Sequence, residues 1–108
     1  MIHDPICVGK QNLSNRVVLQ PMEGCDCNTD GSPSELTIEK YRKAAKSGAG
    51  CVWFEACAVC PEGRTNARQL MLTAENAPRF AALLKEMRQI AKEKCGSEAD
   101  PCEVGNSR

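Results

Sequence analysis

The chain has 108 residues, 42% of them hydrophobic, and its fourteen basic residues balance fourteen acidic ones. That length suits one globular domain, and a balanced charge without a long block of either sign argues against nucleic acid or an anionic membrane surface as a partner. No window approaches the length of a membrane span, and the N-terminal MIHDPICVGKQ lacks a cationic segment followed by an apolar core, so the expected location is the cytoplasm.

Eight cysteines would read as a disulfide scaffold in a small secreted chain. Without an export signal, and with Cys51 and Cys57 inside an apolar run, they are expected to be reduced and mostly to pack as small hydrophobes. His3, the single histidine, sits at the terminus with no second ligand at metal spacing and reads as a surface residue.

The first predicted element is a small hairpin over Pro5 to Leu13 (PICVGKQNL), two short apolar-containing segments flanking Gly9-Lys10, expected to act as a plug or cap. The stretch NRVVLQPMEGCD, Asn15 to Asp26, follows. Its Val17 to Gln20 segment has the profile of a short buried strand, and Pro21, which fixes φ and has no amide hydrogen, marks the exit from the sheet. A polar loop from Glu23 to Pro33 carries turn signals at Gly24, Asp30-Gly31 and Ser32-Pro33 and is long enough to be functional.

Leu36 to Ser47 places Ile38, Tyr41, Ala44 and Ala45 at helical spacing, with Ser34 or Thr37 as N-cap, Lys43 and Lys46 near the other end, and Gly48 as a stop. Cys51 to Val59 (CVWFEACAV) lacks the alternation of a half-exposed strand and reads as a second buried parallel strand, ended by Pro61, Glu62 and Gly63. A basic, amide-rich loop with Arg64, Asn66, Arg68 and Gln69 comes next. From Pro78 to Cys95, the residues Phe80, Leu83, Leu84, Met87, Ile90 and Ala91 recur at helical spacing, with Thr73 or Asn76 as the cap. Glu55, Arg64 and Arg68 are expected to form a charge network that orders the second strand's loop, in a structural more than a catalytic role.

The order is hairpin, strand, loop, helix, strand, loop, helix. It gives an α/β fold with a βαβα unit, in which ligands are expected at the carboxyl ends of the strands. A third strand should come next, but Cys95 to Arg108 (CGSEADPCEVGNSR) holds no run of four apolar residues, so the sheet is expected to stop there.

NRVVLQPMEGCD, DGSPSELT and GAGCVWFEACAVCPEGR together resemble the N-terminal part of the old yellow enzyme family, the FMN-dependent ene-reductases and NADH:flavin oxidoreductases that include the 2,4-dienoyl-CoA reductase branch. The resemblance rests on Asn15-Arg16 leading into the first strand, Pro21-Met22 leaving it, and the path from Glu55-Ala56 to Glu62-Gly63-Arg64. It implies the first βαβα portion of a (β/α)8 TIM barrel preceded by a short β-hairpin. On this reading residues 1–96 belong to an FMN-binding barrel, and 97–108 form a polar tail, disordered or the scar of a truncation or shifted reading frame.

The resemblance further implies FMN as cofactor and NAD(P)H as hydride donor, with Pro21, Met22 and the following Glu23 lining the flavin and Ala56 packing against the ring. Close backbone approach and small or apolar side chains suit a flat ring system. Glu23 departs from the small or polar residue often found there. A carboxylate beside the isoalloxazine would disfavour the anionic reduced flavin unless it turns toward solvent. The family's substrate-holding histidines and its phosphate-binding residues come from later strands and have no counterpart here. No catalytic residue is therefore assigned, and the chain alone is expected to be inactive, with a small-molecule substrate only in the complete enzyme.

Two other readings compete. Cys25, Cys27, Cys57 and Cys60 would reach the same sheet edge and offer four thiolates to zinc. Alternatively, the open strand edge would serve self-association or assembly with a complementary segment.

Overall fold

In the computed structural model, residues 1–95 and 103–106 are described. Strands β1 (Ile6–Val8) and β2 (Gln11–Leu13) form an antiparallel hairpin with Ile6 opposite Leu13. Gly9 makes the turn at a φ of +61°, a left-handed conformation that glycine adopts without penalty. The hairpin is present as expected. Only Ile6 and Leu13 are half-buried, since strands of three residues have little apolar surface to place.

The main sheet is parallel, in the order β3 (Val18–Leu19), β4 (Cys51–Phe54), β5 (Glu103–Asn106). Val18 lies opposite Cys51 and Leu19 opposite Val52. The alternation of side chains across a strand then separates two faces. Leu19, Val52 and Phe54 join the core, while Val18 and Trp53 remain exposed on the face the helices do not cover.

Three expectations about the sheet need correction. The first strand pairs over two residues rather than from Val17 to Gln20, and it is not buried: it sits at the sheet's edge, where Val17 and Val18 meet solvent. The second strand ends at Phe54 instead of Val59, because the Glu55 amide turns from the ladder to donate to the Tyr41 hydroxyl at 3.1 Å. Ala58 rejoins parallel structure through a single bridge to Met71. A third strand does follow, with Glu103 to Asn106 pairing in register with Cys51 to Phe54. Its ladder is made by main-chain groups and needs no run of apolar residues. The rest of the polar tail lies outside the described residues.

Helix α1 spans Glu35–Lys46, with Ser34 as N-cap accepting from the Thr37 amide at 3.2 Å. It is stopped by Ser47 and by Gly48 at a φ of +82°. Helix α2 spans Ala77–Cys95. Thr73 and Asn76 brace the turn before it reciprocally, each side chain accepting from the other's amide, at 2.8 and 3.2 Å. Both helices pack on one sheet face. Tyr41 and Ala45 from α1 meet Phe80, Leu83, Met87 and Ala91 from α2 over Val52 and Phe54. Tyr41 stacks on Phe54 with ring centroids 4.2 Å apart, and Phe80 meets Phe54 edge-on at 6.3 Å.

Asn15 ties the start of β3 to the turn between α1 and β4. Its side-chain oxygen accepts from Val17 N at 2.9 Å and Gly50 N at 2.8 Å, and its amide donates to the Gly48 carbonyl at 2.7 Å. Gly50 has no room for a side chain here, since a Cβ would lie 2.5 Å from the Asn15 carbonyl oxygen. The asparagine of the Asn15-Arg16 pair therefore sets the spacing of two parallel strands.

Candidate functional site

The loops leaving β3 and β4 lie side by side at the carboxyl end of the sheet. Glu55, the first residue past β4, is 1% exposed and carries the only charge in an otherwise apolar run. Its Oε1 accepts from Lys40 Nζ at 2.7 Å and from the Tyr41 hydroxyl at 2.9 Å, and its Oε2 accepts from the Gly24 amide at 3.2 Å. Lys40 also bonds Asp26 Oδ2 at 3.1 Å, and Asp26 Oδ1 accepts from the Thr37 hydroxyl at 2.9 Å. Asp26 reaches the cap of α1 as well, its carbonyl accepting from the Ser34 hydroxyl. A charge taken out of water needs this degree of compensation.

Burial works against the Lys40 ammonium, but its bonds to Glu55 and Asp26 outweigh that and hold its pKa above the ordinary lysine value. Burial, followed by the charge of Glu55, pushes the Tyr41 phenol far above its usual range, so it stays a neutral donor. The expected network of Glu55 with Arg64 and Arg68 is not what forms. Arg64 donates instead to the carbonyls of Gln69 at 2.8 Å, Ala67 at 2.6 Å and Thr29 at 2.8 Å, and Arg68 to that of Cys27 at 3.2 Å. The arginines order the loop through its main chain, while the carboxylate is matched from α1.

Pro21, Met22 and Glu23 project from the end of β3 into solvent, with Met22 80% exposed. Ala56 is half-buried at the end of β4, and its carbonyl accepts from the Gln69 side chain at 3.5 Å. The Gly24–Glu55 bond joins the two segments, so these four residues share one rim. Glu23 is exposed, and among the described residues it makes no ion pair.

Gln69 is a buried brace that sequence reading placed only in a loop. Its side-chain oxygen accepts from the Thr65 amide at 2.6 Å. Lys40, Tyr41, Asp26 and Gly24 were likewise not read as site residues. The available signal was Glu55 itself, because a carboxylate inside a buried run demands a cation and donors nearby.

The cysteines divide by position. Among the described residues Cys27 and Cys51 are buried in the core and Cys57 is half-buried, whereas Cys7, Cys25 and Cys60 are exposed, so packing accounts for half of these six. Burial, with added repulsion from Glu55, pushes the Cys57 thiol up to about 11. Burial likewise raises Cys27, although Arg64 opposes it. The four-thiolate zinc reading gains no support. Among the described residues no three of His, Cys, Asp and Glu come together as a metal site. Cys27 Sγ is turned to the Arg68 carbonyl at 2.7 Å, and Cys25 Sγ to Asn66 at 3.3 Å.

A hairpin followed by a βαβα unit, with its exposed loops gathered at the carboxyl ends of parallel strands, is the first portion of a (β/α)8 barrel. The chain belongs to the NADH:flavin oxidoreductase / NADH oxidase family, which it matches over residues 1–95. It is similar to cinnamate reductase of Clostridium sporogenes, at 45% identity over 53 residues that make up 48% of this chain and 8% of that one. Among solved structures, the old yellow enzyme from Pichia sp. AKU4542 superposes with a TM-score of 0.75 at 22% identity, over 83% of this chain and 24% of that one. The old yellow enzyme from Trypanosoma cruzi does so with a TM-score of 0.70 at 17% identity, over 97% and 26%. The chain thus spans less than a tenth of the cinnamate reductase and about a quarter of the old yellow enzymes it resembles. Among the described residues no helix is long and apolar enough to cross a membrane.

Proposed function

We propose that residues 1–96 supply the share of an FMN site that comes from the first two barrel strands of a flavin-dependent NAD(P)H oxidoreductase of the old yellow enzyme type. The observation that carries this reading is the shared rim, with Pro21, Met22 and Glu23 beside Ala56 and the two segments joined through Gly24 and Glu55. A flat ring fits a surface made of an accessible thioether side chain, a small alanine and accessible main chain. FMN would supply hydride transfer from NAD(P)H to an activated alkene or similar acceptor, a class supported by the local likeness to cinnamate reductase.

This chain's own contribution is to wall the ring and orient it. Lys40, which reaches Glu55 beside Gly24, is already matched by Glu55 and Asp26 and is not available to a phosphate. The 108-residue chain therefore binds FMN weakly and does not turn over alone. In an NMR titration of the labelled chain with FMN to millimolar concentration, the shifts should concentrate on the amides of Met22 to Gly24 and Ala56, with no NADH oxidation. Shifts confined to other residues, or none, would refute the site. A tightly held yellow cofactor with NADH oxidation would refute the inactivity.

A second reading is favoured by one observation: Val18 and Trp53 are exposed on strands β3 and β4, and Val17 just before β3. Such a surface suits association with another copy or a complementary segment. Light scattering should show mass rising with concentration, and a monomer at all concentrations would remove this reading.

A further inference from the structure

The two oxygens of Glu55 do different work. Oε1 is clamped from α1 by Lys40 at 2.7 Å and Tyr41 at 2.9 Å, while Oε2 faces the Gly24 amide at 3.2 Å. Pro21 has no amide hydrogen to give. Among the described residues, Glu55 is the one side chain that bonds to the main chain between Pro21 and Gly24. The approach is close: a Cβ at position 24 would stand 2.3 Å from Lys40 Nζ and 2.6 Å from Asp26 Oδ2, so a side chain there would displace the ends of the two side chains that join Glu55 to α1 and the loop.

We infer that Glu55 is a positioning residue. Held rigid by helix α1, its carboxylate fixes the Gly24 amide and so sets the height at which Pro21, Met22 and Glu23 meet a planar ligand beside Ala56. This rests on the FMN reading above for the identity of the ligand, but the clamp itself does not depend on it. A bond from an amide to a carboxylate is among the stronger hydrogen bonds available, and here the accepting carboxylate is buried although Gly24 itself is exposed. Glutamine at position 55 cannot replace it. Whichever way its amide turns, an NH₂ group faces either the Gly24 amide or the Lys40 ammonium, donor against donor.

The test uses the labelled 108-residue chain with Glu55→Gln, and Glu62→Gln, on the exposed 3-10 turn Pro61–Gly63, as control. In Glu55→Gln the Gly24 amide should exchange at least about tenfold faster than in the parent, as loss of a charge-assisted bond requires. The FMN-induced shifts of Met22 and Glu23 should fall while that of Ala56 persists, and Glu62→Gln should change neither. Gly24 exchange within twofold of the parent overturns the clamp. Faster exchange with undiminished FMN shifts at Met22 and Glu23 overturns the positioning role. If FMN shifts nothing in the parent chain, the FMN reading fails, and the exchange comparison still decides the clamp. Should Glu55→Gln not fold, Tyr41→Phe removes one support of Oε1 while keeping the stack on Phe54. It should speed Gly24 exchange about threefold, and no change would overturn the inference.

Discussion

Replacing Gly31 with alanine tests how the loop after β3 is joined to the segment before α2. Gly31 has a φ of +89°, and a Cβ there would lie 2.5 Å from Met71 Cβ and 2.9 Å from both the amide nitrogen and the carbonyl oxygen of Met71. The left-handed backbone alone costs an alanine about 1 kcal/mol. Carbon atoms rest about 3.5–4.0 Å apart, so the segments must separate by about 1 Å. The two main-chain atoms in the way are both engaged: Met71 N donates to the Gly31 carbonyl at 3.0 Å, and the Met71 carbonyl accepts from the buried Asn76 side chain at 2.7 Å. Weakening both adds about 1–3 kcal/mol, for a total of about 2–4 kcal/mol. Gly48→Ala is the matched control, with a similar φ of +82° but nothing within 4 Å of its Cβ, and should cost only the backbone term of about 1 kcal/mol. Urea titrations followed by circular dichroism give the comparison. A Gly31→Ala protein as stable as Gly48→Ala would show that the close approach to Met71 is not a constraint and that the loop floats.

Three further outcomes are expected. Asn15→Ala removes two hydrogen bonds between the start of β3 and the turn before β4 and a third, local one from Val17 N, and should lower stability by about 2–4 kcal/mol in the same titration. Lys40→Met leaves the carboxylate of Glu55 buried without its cation, and should cost about 3 kcal/mol at neutral pH, much of it recovered in the double variant with Glu55→Leu. For Cys57 the folded pKa of about 11 lies above the ordinary 9.0, so the native state holds the proton more tightly. Its contribution is complete below pH 9 and is lost as the pH rises toward 11, by up to about 2 kcal/mol after allowance for solvent screening. Cys57→Ala should make the fall in stability between pH 9 and 11 shallower, with the remaining slope left to Cys27, Tyr41 and Lys40, whose folded pKa values are also raised, and an unchanged slope would contradict the burial assigned to this thiol.

The helices were legible because their signals are local. Ser34, Gly48 and the spacing of Phe80, Leu83 and Met87 act within a turn or two of chain, and each holds in three dimensions. The strands were read less well because their limits are set by neighbours distant in sequence. Nothing in CVWFEACAV says that the pairing stops after Phe54; that depends on Tyr41, which takes the next amide. Nor does Val17 to Gln20 reveal that its strand is an edge, since apolar β-branched residues look the same beside one strand or two. The third strand was invisible for a related reason: β pairing at Glu103–Asn106 draws on main-chain groups that every sequence possesses.

The same distinction explains the site. Pro21, Met22, Glu23 and Ala56 came from motif resemblance, and their placement on one rim follows from parallel strands ending together. What holds that rim differs from the expected network of Glu55 with Arg64 and Arg68, whose partners spacing alone does not reveal. The fold answers from the other direction, because the helix joining two parallel strands packs back against them and carries its middle residues past the strand ends. Lys40 and Tyr41 lie fifteen and fourteen residues before Glu55, a separation that no local pattern encodes. A buried acid at the end of a barrel strand should therefore be matched first against the preceding crossover helix, and only then against the loop that follows.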